Sequence, residues 1–279
     1  MRLKQTFVMA AVMILLSVIG YSGYMLWDIY SHQAKAHALH QQLLAYSPLG
    51  QGAGAEALLP LTPNVFNASN ASTLAAPAVV NQSIINLQAR HPHVVGWLSI
   101  PDVTFGDNLG GNNAALIDHP FVQYQDNAFY LHHNIDRQRC PAGTVFMDYR
   151  HAPDFSHFHT LLYGHHMNNG SMFAPIGAFA CADFFNQHPY GYIFLPNQSY
   201  TIQFFAFAVV GPRDPVIYQP LVDTVAKQQY FINYVQEVAL HHRPEVAVDH
   251  NSRLITLSTC RNDQANSRLV LLGKLVANV

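Results

Sequence analysis

From Thr6 to Trp27 the chain runs 22 residues without a charge. Such a run leaves few folding options, because a segment in lipid must satisfy its own backbone polar groups and one segment alone does so as a helix. About 20 apolar residues cross the hydrocarbon core. Met1-Arg2-Leu3-Lys4 is basic, and Tyr21, Tyr24, Trp27 and Tyr30 fall where an interfacial aromatic belt belongs. A cleaved signal peptide has a shorter apolar region, roughly 7–15 residues, closed by a small-x-small cleavage site. Residues 1–30 therefore read as a cytoplasmic stub and an uncleaved signal anchor. Positive charge ahead of the span keeps the N-terminus cytoplasmic. The expected localisation is the cell membrane, single-pass, with everything after Asp28 extracellular.

Residues 31–82 read as a helix and a flexible linker. Ala34, Ala38, Leu39 and Leu43 recur at helical spacing within Ser31–Tyr46. Gly50–Gln82 is dominated by Ala, Gly, Pro, Asn and Ser, with Glu56 its one charge. Disordered, a stretch of that length has an r.m.s. reach of roughly 30 Å. It would hold a domain off the bilayer yet near it.

Residues 83–279 read as one globular domain, mainly β with helices. Half the chain is hydrophobic and 11% is charged, ample for a core. The net charge of -2 gives no electrostatic footprint for nucleic acid. Ser83–Arg90 reads as a short helix. Short strands follow at Val94–Ile100, Phe121–Gln123, Phe129–Leu131, Thr144–Met147, Thr160–Tyr163, Tyr192–Leu195, Tyr200–Val210, Leu254–Ser258 and Leu269–Val276. Gly, Pro and Asn turns separate them, which suggests a closed or nearly closed barrel or a sandwich. One longer helix interrupts the series, capped by Asp223 and running to about Leu240, with Val225, Phe231, Tyr234, Val235 and Val238 near one face.

Ile255-Thr256-Leu257-Ser258-Thr259-Cys260 is a strand ending on a thiol. Eight positions on, Arg268 opens another strand. A nucleophilic cysteine reacts as its thiolate, and a nearby cation favours that form. The bland alternative is a buried cysteine beside a surface arginine. Thr160-Leu161-Leu162-Tyr163-Gly164-His165-His166 is a strand that stops at glycine and delivers a histidine. His165 precedes Cys260 by 95 residues, so only the fold could join them. His151, His157 and His159, near Asp148 and Asp154, match no zinc spacing and read as surface histidines. No metal or other cofactor is expected. Whether Cys140 and Cys181 pair turns on their Cα separation.

The order of these motifs resembles the class B sortases. The resemblance rests on Tyr163-Gly164-His165-His166-Met167 with Gly170-Ser171-Met172-Phe173, on Thr256-Leu257-Ser258-Thr259-Cys260, and on Arg268. Val94-Val95-Gly96-Trp97-Leu98-Ser99-Ile100-Pro101 and Gly143-Thr144-Val145-Phe146-Met147-Asp148 add to it. It spans roughly residues 84–279. It implies an eight-stranded sortase barrel with N-terminal helices and one long helix before the last strands. It also implies Cys260 as nucleophile, His165 (directly after Tyr-Gly, ahead of its rival His166) as general acid/base, and Arg268 as stabiliser of oxyanion or substrate. Ser258 and Thr259 are candidates for the substrate groove. The implied partners are surface proteins bearing a sorting signal and an amine of the peptidoglycan precursor or a pilin lysine. A secreted cysteine hydrolase using the same pair, and a non-catalytic membrane-anchored binding domain, remain as alternatives.

Overall fold

The computed structural model describes residues 2–49, 80–101, 115–260 and 266–278. Most of the expected linker and the Gly110–Asn113 turn lie outside them. The chain divides into two compact units, Met1–Gln42 and Leu43–Val279.

The first unit belongs to one helix, α1 (Arg2–Leu44). The helix expected to start at Ser31 is its continuation, since neither Gly nor Pro occurs between Gly23 and Leu44 to break it. From Met13 to Tyr30 its large apolar side chains are exposed. An apolar helix of this kind fits a membrane anchor or a signal sequence.

In the second unit, α2 (Gln82–Arg90) leads into β1 (Val94–Pro101), β2 (Ala115–Val122), β3 (Val145–Met147) and β4 (His159–Tyr163). A 3-10 turn (Ala174–Ala180) and α3 (Ala182–Gln187) precede the hairpin β5 (Tyr190–Leu195) and β6 (Gln198–Val210). Then come α4 (Val225–Val238), β7 (Ala239–His242), β8 (Arg253–Cys260) and β9 (Arg268–Ala277). The strands join in the order β5-β1-β2-β3-β4-β8-β9-β6, and β6 pairs back to β5. Eight strands therefore close a barrel, as the family resemblance implied, and not a sandwich. Two pairings are parallel, β2–β3 and β4–β8. β6 is long enough to pair β9 along one edge while serving β5 and then β7 along the other.

Alternation along β8 and β9 divides the core. Ile255, Leu257, Leu269 and Leu271 join the cluster that includes Leu98, Phe121 and Ile202. Leu254, Val270 and Leu272 turn to the other face and pack with Phe231, Ile232 and Val235 of α4.

Three local expectations change. Phe129–Leu131 is a turn, because Asp126 Oδ1 accepts from the backbone of Ala128 and Phe129 at 2.8 and 2.7 Å. Thr224, not Asp223, caps α4: its Oγ1 accepts from Lys227 N at 3.3 Å, while Asp223 accepts from Lys227 Nζ at 2.7 Å. The helix also stops at Val238, since Ala239–His242 pairs with β6. Cys140 and Cys181 are both free.

Gly273 faces Phe204 across β9 and β6. A Cβ there would stand 2.2 Å from Ile202 Cγ2. Gly273→Ala should cost about 1–3 kcal/mol through overpacking, read as a lowered midpoint in urea or thermal unfolding.

Candidate active site

The parallel pairing of β4 with β8 brings the distant motifs together. Tyr163 lies opposite Ser258, and Gly164 N donates to Ser258 O at 3.2 Å. His165 follows Tyr163 by two residues and Cys260 follows Ser258 by two. Cys260 is also the register partner of Arg268 in the antiparallel β8–β9 pair. The backbone thus places position 260 between the outgoing end of β4 and the first residue of β9.

The chain can leave β4 here because Gly164 has no side chain. A Cβ would lie 2.6 Å from Cγ of Phe173, whose ring occupies that space. Phe173 N donates back to His165 O at 2.9 Å, and His166 bridges Met172. Adjacent histidines diverge. His165 Nε2 lies 2.7 Å from the Leu131 carbonyl. A carbonyl only accepts, so in the neutral ring Nε2 carries the proton and Nδ1 the free lone pair. His166 turns toward the 3-10 turn, where a Cβ on Gly177 would lie 3.5 Å from its Cε1.

Arg268 is half-buried, and its Nη1 donates to Ser267 O at 3.1 Å. The two groove candidates part company. Ser258 is buried on the α4 side, with its Oγ 2.9 Å from Tyr218 Oη. Thr259 is buried opposite Leu269, on the side of Ile255 and Leu257, so its side chain does not line that face. Sequence reasoning missed Leu131 and Tyr218. A backbone carbonyl leaves no mark in a sequence, and Tyr218 sits in an irregular stretch without a motif.

No family model matches the chain. Sortase B of Listeria monocytogenes serovar 1/2a (strain ATCC BAA-679 / EGD-e) is 32% identical over 209 residues, 74% of this chain and 79% of that protein. The chain belongs to the class B sortases. Its fold matches the X-ray structure of Clostridium perfringens sortase B with a TM-score of 0.60 at 26% identity, over 69% of this chain and 98% of that one. It also matches sortase B from the type II pilus of Streptococcus pneumoniae with a TM-score of 0.55 at 32% identity, over 68% and 97%. A class B sortase is a cysteine transpeptidase whose substrates are proteins bearing a sorting signal.

Beside this candidate site lies a buried polar layer. Tyr163, at the end of β4, donates its Oη to Asp148 Oδ2 at 3.0 Å. Arg150 grips the same carboxylate twice, Nε to Oδ1 at 2.8 Å and Nη2 to Oδ2 at 2.7 Å, and Asn127 adds a donor at 2.8 Å. Burial alone would raise the Asp148 pKa, but the hydrogen bonds from Arg150 and Asn127 outweigh it and hold the group down at about 2. Burial, with Asp148 alongside, pushes the Tyr163 phenol well above its ordinary range.

The neighbouring histidines correct the surface reading. His151 and His159 are only 4% and 2% exposed. Both nitrogens of His151 and Nδ1 of His159 are buried without a hydrogen-bond partner, while His159 Nε2 meets Thr256 Oγ1 at 2.8 Å. Among the described residues, no group of three or more His, Cys, Asp or Glu has a metal-holding arrangement. Burial pushes His151 down to about 4 and His159 to about 3, each repelled by a neighbouring imidazole and partly offset by Asp148.

Both imidazoles bind protons less readily folded than unfolded. Their contribution to stability is therefore full above about pH 6.5 and declines as pH falls toward 4 for His151 and 3 for His159. The unfolding midpoint should drop between pH 7 and pH 5, and His159→Met should flatten that drop in a pH series of thermal melts.

Proposed function

We propose that the chain cuts a C-terminal sorting signal after threonine, within an Asn-Pro-x-Thr-Asn-like motif, and passes the acyl group to an amine of the peptidoglycan precursor. Cys260 attacks the threonine carbonyl as thiolate. Its sulfur–carbon bond forms as the amide bond breaks, which splits one amide exchange into two steps. His165 gives a proton to the leaving amine and takes one from the incoming amine. Arg268, fixed positive, stabilises the oxyanion or holds the substrate backbone. Ser258, braced by Tyr218, belongs to the groove wall, and Thr259 contributes its backbone there. α1 anchors the chain with its N-terminus cytoplasmic and its catalytic domain outside. A pilin lysine is the alternative acceptor, in keeping with the likeness to the sortase from a pneumococcal type II pilus.

The observation that carries this reading is the register, Cys260 opposite Arg268 and β4 in parallel with β8, ahead of His165. The test incubates the protein with candidate sorting peptides and follows an acyl adduct on Cys260 by mass spectrometry, with and without added amine. The expected result is a thioester in its absence and amide product in its presence. Hydrolysis alone at every amine concentration would convert the reading into a cysteine hydrolase.

Cys260→Ala should abolish turnover. Arg268→Lys should lose about 100-fold or more in transpeptidation rate, because a point charge does not replace a planar fork of donors. Near-parental kcat/KM for Arg268→Lys would remove the role given to the guanidinium.

A further inference from the structure

The Leu131 carbonyl that receives the His165 proton is itself aimed by another segment. Cys140 N donates to His132 O at 2.8 Å, and Thr144 N donates to Tyr130 O at 2.9 Å. Thr144 Oγ1 donates to His133 O at 2.9 Å. The carbonyls of residues 130, 132 and 133 are thus taken by the turn over Cys140–Thr144. The carbonyl of Leu131, between them, is taken by the imidazole.

Gly143 is what lets the two segments lie so close. Its φ is +60°, in the left-handed region that favours glycine. A Cβ at this position would lie 2.6 Å from Tyr130 O, 2.7 Å from Leu131 O and 3.0 Å from Leu131 C. These are backbone atoms, so no side-chain rotation relieves the collision. The displaced atom would be the acceptor of the His165 proton.

We propose that Gly143 is a positioning residue for the transpeptidation. It lets the Cys140–Thr144 turn aim the Leu131 carbonyl, which holds the proton of neutral His165 on Nε2 and so leaves Nδ1 to exchange protons at the reacting centre. The catalytic consequence rests on the role given to His165 above. The tautomer itself does not, and it is measured separately.

The experiment uses the full chain in detergent micelles with 15N-labelled histidine. Long-range 1H–15N correlation of the neutral ring distinguishes the two tautomers, and His165→Gln identifies the signal. The parent should show the Nε2–H form. Gly143→Ala should mix the tautomers and lower kcat roughly 10- to 100-fold, the scale expected for a displaced catalytic group. KM for a sorting peptide should hold, since peptide binding is not what is lost. Where Gly143→Ala fails to fold, Thr144→Val removes the donor to His133 O and should shift tautomer and kcat in the same direction, with Thr144→Ser restoring both. A folded Gly143→Ala protein, or failing that Thr144→Val, that keeps the Nε2–H form or the parental kcat overturns the proposal. Full activity in His165→Gln would instead overturn the role of the imidazole, whatever the tautomer shows.

Discussion

The parallel contact between β4 and β8 organises both the barrel and the site. Parallel neighbours cannot be joined by a tight turn and need a long connection. Here that connection includes β5, β6, α4 and β7, so the histidine strand and the cysteine strand meet only when the ring closes. β8 then has β4 on one edge and β9 on the other. One strand therefore sets two registers at once, the position of His165 relative to Cys260 and that of Arg268 opposite it. A one-residue slip in either would send alternate positions to the wrong face of the sheet.

The polar layer beside the site follows from the same pairing. Thr256 and Ser258 project to the α4 side of β8, where His159 and Tyr218 meet them. Tyr163 carries the layer on to Asp148, whose carboxylate collects donors from Arg150 and Asn127. A buried carboxylate is tolerable only when its oxygens are satisfied, and this one is. The histidines nearby are different. His151 is buried with both ring nitrogens unsatisfied, so it can be held there only in its neutral form.

Much of this was legible in the residues. The alternation of Ile255 to Cys260 and of Arg268 to Val276 gave strands close to those observed, and the motif order around His165 led to the right family. Boundaries failed where a side chain competed with the backbone pattern. Asp126 folded Phe129–Leu131 into a turn by taking two amides, and Thr224 won the cap because the helix begins one residue later than Asp223 allows. The burial of His151 and His159 was invisible, since a histidine in a polar stretch carries no sign of which element will cover it. The Leu131 carbonyl was equally hidden. The part of a residue that matters there is common to every residue.

Closing the ring also governs how one copy of the chain can meet another. An open sheet offers unpaired amides and carbonyls along its outer strands, an invitation to pair with another chain. Here the only strand outside the circle, among the described residues, is β7, four residues long. His241, on that strand, has Nε2 donating to Ala180 O at 2.8 Å. At the end of the ladder, then, a neighbouring molecule would meet a template of only four residues for strand exchange.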